Sequence, residues 1–254
     1  MIKFESVSKN YGGYTALQNL NLEIPAGTLY GYLGPNGAGK TTTIKMLAGL
    51  LKPSSGKVYI NNINIHEKPL LAKPMFGYVP DKPYLYDKLT ADELMHFIGG
   101  IYGLTKEKIR SNSEYLFDFF GITPWRTKLA EEYSQGMKQK LLIAAAFLHE
   151  PEVFVIDEPM VGLDPKNINN LKLFLREKAD SGVTIFLSTH SLHVAEELCD
   201  RIGILNEGVL IAEGTLNELR RDAKSDAMSL EELFLKLTAE EKLNEYESLV
   251  NPIS

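Results

Sequence analysis

The stretch LYGYLGPNGAGKTT, residues 29–42, decides how this chain folds. The apolar run from Leu29 to Leu33 reads as a strand and passes into a glycine-rich turn. From Thr41 to Leu51, Ile44, Leu47, Ala48 and Leu51 then recur at helical spacing. In that strand–loop–helix setting, GPNGAGKT, Gly34 to Thr41, fits the GxxxxGK[ST] pattern of a phosphate-binding loop. Gly34, Gly37 and Gly39 allow the backbone to turn its N–H groups onto phosphate oxygens, and the helix N-terminus adds partial positive charge. The candidate nucleotide contacts are therefore Gly34, Pro35, Asn36, Gly37, Ala38, Gly39, Lys40, Thr41 and Thr42. Lys40 would meet the β- and γ-phosphates, and the Thr41 hydroxyl would ligate the Mg²⁺ that a triphosphate carries. The plainer alternative is a glycine-rich turn beside a chance lysine, which the flanking strand and helix disfavour.

A second constellation is VFVIDEP, Val153 to Pro159: four apolar residues of a buried strand ending in adjacent carboxylates. Side chains alternate along a strand, so Asp157 and Glu158 point to different tasks. Asp157 is assigned to the Mg²⁺ shell and Glu158 to polarising an attacking water. A solvated strand end would look the same by itself; the upstream phosphate loop favours the functional reading.

Around these motifs the chain alternates. Ile2 to Leu33 reads as short strands with turns at Gly12, Gly13, Pro25 and Gly27, and further sheet is expected at Lys57 to Ile65 and Phe76 to Val79. From Thr90 to Glu150 the pattern becomes helical, over Ala91 to Tyr102, Lys106 to Phe120 and Gly136 to His149, with Thr90 and Ser134 as N-caps. Strand and helix alternate again from Val153 to Leu205, as in a largely parallel sheet. Beyond Gly214 an amphipathic, charged helical stretch to about Val250 reads as an appendage without a core of its own, with Asp222 to Asp226 as a loose linker.

Composition narrows the class. A length of 254 residues suffices for one domain or a large lobe with a smaller one inserted. A formal net charge of -6 argues against a broad nucleic-acid footprint. The lone cysteine, Cys199, cannot form an intramolecular disulfide and suits a reducing compartment. The longest strongly apolar stretch near mid-chain, Leu141 to Leu148, falls far short of the roughly 20 residues a spanning helix needs, and the N-terminus lacks a secretory apolar core.

Together with three further motifs, this order of residues from Ile2 to Leu219 resembles the ATP-binding cassette (ABC) family, the nucleotide-binding subunits of ABC transporters. YSQGMKQK, Tyr133 to Lys140, resembles the family's signature loop, in which Ser134, Gln135 and Gly136 would meet the γ-phosphate of ATP held by an opposite subunit. It departs from the commoner LSGGQ at Tyr133, Gln135 and Met137, and the YSxGM form is similar to the branch serving exporters. VGLDP, Val161 to Pro165, is similar to the D-loop, whose Asp164 would touch the partner subunit. STH, Ser188 to His190, is similar to the switch motif, with His190 beside the γ-phosphate and the water. Tyr11 resembles the aromatic that stacks on adenine, with Tyr14 as its competitor. Asp81, in GYVPDKP, stands where the family usually carries a glutamine that reaches the metal, and a carboxylate there can still serve the metal shell. Tyr84 and Tyr86, within Asp81 to Leu89, would lie on the surface that meets a membrane subunit's cytoplasmic helix.

The resemblance implies an α/β fold: a P-loop NTPase core with a mixed, mostly parallel sheet, an N-terminal antiparallel β-subdomain and an inserted α-helical subdomain. Residues 1–89 and 151–219 would form the core, 90–150 the helical signature subdomain and 220–254 the appendage. It further implies ATP and Mg²⁺ as cofactors, catalysis by Glu158, His190 and Lys40, and a second ATP-binding subunit, identical or related. A separate transmembrane permease at the cytoplasmic face of the membrane completes the expected assembly. A regulatory ABC ATPase on a non-transporting membrane partner, or a soluble one in translation or DNA maintenance, is the alternative.

Overall fold

The computed structural model describes residues 1–82, 84–223 and 228–239. The chain opens with a hairpin, β1 (Ile2–Tyr11) and β2 (Tyr14–Ile24), closed by the Gly12–Gly13 turn, and continues with β3 (Leu29–Leu33) and α1 (Lys40–Leu47). Next come β4 (Ser55–Ile60), β5 (Ile63–Asn64), the single turn α2 (Pro69–Ala72) and β6 (Phe76–Val79). Three helices follow: α3 (Ala91–Ile101), α4 (Lys106–Phe120) and α5 (Gln135–Phe147). Then β7 (Val153–Asp157), α6 (Pro165–Asp180), β8 (Thr184–Ser188), α7 (Leu192–Leu198), β9 (Arg201–Asn206), β10 (Val209–Gly214) and α8 (Leu216–Asp222) alternate. A last described helix, α9, spans residues 230–239.

Two sheets result. One is antiparallel, in the order β2-β1-β4-β5; the other is six-stranded, β10-β9-β3-β8-β7-β6, parallel from β9 to β6 with β10 antiparallel at its edge. β3, β7 and β8 are buried along their whole length, which explains their largely apolar sequences. The mixed, mostly parallel sheet matches the expectation. α1 is shorter than the Thr41 to Leu51 pattern, because Gly49 takes φ +68° and the last carbonyls are closed by Ala48, Gly49 and Leu50 amides.

The three middle helices pack on one face of the large sheet through an aromatic cluster in which Phe174 of α6 meets Phe119, Phe120 and Phe147 at centroid distances of 5.0 to 5.2 Å. Thr90 caps α3 in a reciprocal box with Glu93, and Ser134 caps α5 through the Met137 amide, as expected of both. The antiparallel sheet and α1 form a second apolar layer on the opposite face.

The C-terminal stretch differs from its reading as a helix without a core. Leu219, Leu230 and Leu233 are buried with Leu33, Ala195, Ile202 and Ile204 of the large sheet's flank. Arg220 fixes the approach by bonding Met228 O and Glu196. The expected break after Leu219 falls inside α8, which starts at a Thr215–Glu218 capping box. Of the expected linker, residues 224–226 lie outside the described residues, as does the appendage from 240 onward.

At the junction of the helices with the sheet, His149 stacks on Tyr102 at 3.7 Å and donates from Nε2 to Phe76 O at 3.2 Å. Burial pushes its imidazole down to about 4 against that bond, and Nδ1 is buried with no partner among the described residues. A histidine with a lowered folded value costs stability as pH falls from its ordinary 6.5 towards 4, because the unfolded chain takes the proton first. His149→Gln keeps a donor for Phe76 O but cannot titrate. Urea denaturation at pH 7 and pH 4.5 should show wild type losing more stability than the variant, by on the order of 2 kcal/mol. Parallel losses would contradict the assignment.

Candidate functional site

After the carboxyl end of β3, two positions of the chain leave no room for a side chain. A Cβ on Gly34 would lie 2.3 Å from Leu205 O, and one on Gly39 would lie 2.4 Å from Ala16 O, where φ is +108°. Only glycine permits this close passage, and it leaves a loop whose backbone rings the N-terminus of α1. Lys40 curls over the loop and donates to Gly34 O and, at 3.1 Å, to Pro35 O. Burial lowers its ammonium from the usual value, while the Glu158 and Asp157 carboxylates oppose that shift.

The parallel sheet brings the other motifs to the same edge. Tyr32 pairs with Ser188, and Ser188 pairs with Asp157, so β3, β8 and β7 end level with one another. Asp157 is almost wholly buried; burial first, then the neighbouring Glu158 and Asp81, pushes its carboxyl above the ordinary range, against Ser188 and Lys40. Glu158 follows with φ +49°, a conformation that costs a non-glycine residue about 1–2 kcal/mol. Its amide donates to Ser188 O at 2.9 Å, which holds the turn. Its carboxylate lies 2.9 Å from His190 Nδ1 and accepts from Thr189 Oγ1 at 3.4 Å.

These groups line one open cleft of about 490 Å³. It contains residues 35–42 of the loop together with Tyr11, Tyr14, Asp81, Asp157, Glu158 and His190, so widely separated expectations converge here. Gly34 forms the base of the loop against Leu205. Tyr11 and Tyr14 face each other across the hairpin, both about half exposed, and Tyr14 hydroxyl reaches Gly37 O at 3.4 Å. The pair presents two rings beside the loop. Backbone amides, one cation and a buried carboxylate beside a threonine hydroxyl form a donor set suited to a metal–triphosphate.

Ser134, Gln135, Gly136 and Asp164 do not line this cleft. Gly136 packs beside Gly162 O, Gln135 lies against Gly162, and Asp164 caps α6 by accepting from the Asn167 amide at 2.9 Å. Those Asn167 bonds hold the Asp164 carboxyl below its usual range. The signature and VGLDP segments thus pack against each other, with Ser134, Gln135, Gly136 and Asp164 outside the phosphate-loop cleft and Val161 at its edge. The cleft also includes Ala16 and Val161, and Thr189 contacts Glu158, roles that the sequence reading did not single out. Thr189 lay inside the STH motif, so its position was signalled; Ala16 had no signal, since its part is played by a backbone carbonyl.

The profile of the ABC transporter family matches residues 17–161. The linearmycin resistance ATP-binding protein LnrL of Bacillus subtilis (strain 168) is 36% identical over 219 residues, covering 86% of this chain and 70% of LnrL. A solved structure of an ATP-binding subunit of an ABC transporter superposes with a TM-score of 0.90 at 35% identity, covering 94% of this chain and 99% of that one. The dimeric ATP-binding cassette MJ0796, in a post-hydrolysis state bound to ADP and Pi, gives 0.77 at 27% identity, covering 85% and 99%. A phosphate loop, a buried aspartate and a histidine-paired glutamate on one parallel edge thus coincide with family likeness across most of the chain. This chain belongs to the ABC transporter family, as an ATP-binding subunit that hydrolyses ATP.

Proposed function

We propose that the chain powers export through a separate transmembrane permease, by closing head to tail with a second ATP-binding subunit on two MgATP molecules. One observation carries the reading: the cleft holds phosphate-loop and carboxylate groups, while Ser134, Gly136 and Asp164 lie outside it. A nucleotide bound here keeps one side uncovered, and a facing copy's helix N-terminus at Ser134 offers amides for its γ-phosphate. MJ0796, dimeric with ADP and Pi, supports that arrangement, and the name of LnrL supports export of an antibiotic-like substrate.

In this reading Lys40 and residues 34–42 grip the phosphates, while Thr41, Asp157 and Asp81 serve the Mg²⁺ shell. Glu158 polarises the attacking water, and His190, 2.9 Å away, orients that carboxylate. Tyr11 stacks on the adenine with Tyr14 beside it. Mg²⁺, bound with the triphosphate, offsets charge that develops during transfer. Closure favoured by ATP is released by hydrolysis.

The segment from Asp81 to Leu89 supports a role in transmission. Lys138 of α5 pairs with Asp87 at 2.8 Å, and the Ala130 and Glu131 amides bond Leu89 O and Asp87 O. The helical stretch, residues 90–150, is thereby tied to an exposed aromatic row, Tyr84, Tyr86 and Phe97, with Tyr84 82% exposed. Such a row fits a permease's cytoplasmic helix. Among the described residues no helix is long and apolar enough to cross a membrane.

Three outcomes follow. Glu158→Gln should bind MgATP within a few-fold of wild type, lose turnover by ~10²–10⁴-fold, and accumulate an ATP-dependent dimer on size-exclusion chromatography. Full turnover would remove Glu158 from its role, and monomer throughout would remove the closed pair. For Asp157 the folded carboxyl titrates above its unfolded value, so its ionised form is penalised at neutral pH and the penalty vanishes below the ordinary 3.8. Asp157→Asn should therefore raise the urea midpoint at pH 7, with the gain shrinking as pH falls, while Mg²⁺-dependent nucleotide binding is lost. Finally, a Tyr84→Ala, Tyr86→Ala double variant should keep its ATPase activity yet fail to co-purify with the membrane-spanning partner that wild type brings down from native membranes. Undiminished co-purification would place the docking surface elsewhere.

A further inference from the structure

We infer that Gly208, in the turn between β9 and β10, is a positioning residue that aims the phosphate loop's amides. Asn206 pairs with Val209, so Glu207 and Gly208 form a two-residue hairpin turn, with φ +45° and +82°. Such a turn needs both central residues in the left-handed region, and Gly208 takes that conformation without a side chain to accommodate. The Gly208 amide donates to Ala38 O at 2.9 Å, and Gly208 O accepts from the Gln18 amide at 2.8 Å. The turn therefore ties the phosphate loop to β2, although it lies about 170 residues further along the chain than that loop.

Two further features make this a matter of aim. A peptide bond is planar and trans, so the Ala38 carbonyl and the Gly39 N–H point in opposite directions. Anchoring that carbonyl outward at Gly208 turns the Gly39 N–H away from the turn, towards the cleft that Ala38 and Gly39 line. The Ala16 carbonyl is the spacer between the two glycines. A Cβ on Gly39 would meet it at 2.4 Å, and a Cβ on Gly208 would meet it at 3.0 Å, with Leu17 Cα at 3.3 Å. Any side chain at 208 presses this spacer towards the loop, and the neighbours that must yield are backbone.

The inference rests on the phosphate loop being the nucleotide site, and the experiment separates the two. Calorimetry with MgADP and steady-state kinetics with MgATP are run on Gly208→Ala, Gly208→Asn, Lys40→Ala and Gly182→Ala. Gly182 has φ +104° with open space around it, in the turn between α6 and β8, so it reports strain alone. Both Gly208 variants should weaken MgADP binding by about tenfold and raise KM similarly, with kcat held within about threefold. Asparagine tolerates the left-handed region, so Gly208→Asn should recover Tm relative to Gly208→Ala without recovering affinity. Gly182→Ala should lower Tm and leave affinity alone. Wild-type affinity in folded Gly208 variants, with Lys40→Ala defective, overturns this inference only. Wild-type affinity in Lys40→Ala overturns the site itself. Should neither Gly208 variant fold, hydrogen exchange of the wild type decides: MgADP must raise protection of the Gly208 amide, and unchanged exchange at saturation overturns the proposal.

Discussion

The row of paired backbone from Tyr32 through Ser188 to Asp157 is the constraint on which the site depends. Parallel strands in register end at the same height, so whatever follows each of them is delivered to one edge. After β3 comes the glycine-rich loop, after β7 the glutamate, and after β8 the threonine and histidine that contact that glutamate. A shift of one residue in any of these pairings would reverse which side chains face each layer and would carry Asp157 out of the cleft. The buried apolar residues of the three strands therefore do two things at once. They supply the core on both faces of the sheet, and they set the positions of groups that never touch that core.

Around this edge the molecule accepts local costs. Glu158 sits in a left-handed conformation, Asp157 keeps a carboxyl in a buried setting, and Lys40 is partly desolvated over its own loop carbonyls. Each is unfavourable considered alone, and each becomes intelligible beside a bound polyphosphate with its cation. The ammonium would find stronger acceptors in phosphate oxygens and the carboxylate would gain a positive neighbour, while the glutamate turn brings its carboxylate next to His190. The aromatic cluster around Phe174 and the capped helices at Thr90 and Thr215 supply stability that offsets such strain.

Most of this was legible in the sequence, for a physical reason. The phosphate loop, the carboxylate pair and the STH segment each combine a buried strand with a chemically marked turn, and both signals are local. Parallel β-strands then do the long-range work without any further code. Helix α4 appeared at its expected bounds because Thr105 caps it and Gly121, at φ +65°, ends it. What escaped the sequence was contact made by backbone or between distant segments. The Ala16 carbonyl, the Glu207–Gly208 turn and the burial of Leu230 and Leu233 against β9 carry no residue pattern of their own. Asp81 was placed by likeness to a family position, and its proximity to Asp157 emerges only from the fold.

The division of labour between the two faces of the chain argues for assembly from within a single copy. A strand-end aspartate needs a cation, and a loop of amides needs phosphate, but the capped N-terminus of α5 at Ser134 has neither group from its own chain within the cleft. Its partial positive charge lies next to the segment that carries Asp164. Two copies related by a two-fold axis would place each such helix end over the other's phosphate loop, and both unmatched surfaces would be satisfied by one operation. The interaction that closes such a pair would include the nucleotide itself. Its strength would then depend on whether the terminal phosphate is still attached, a property that would let a hydrolase act as a clasp.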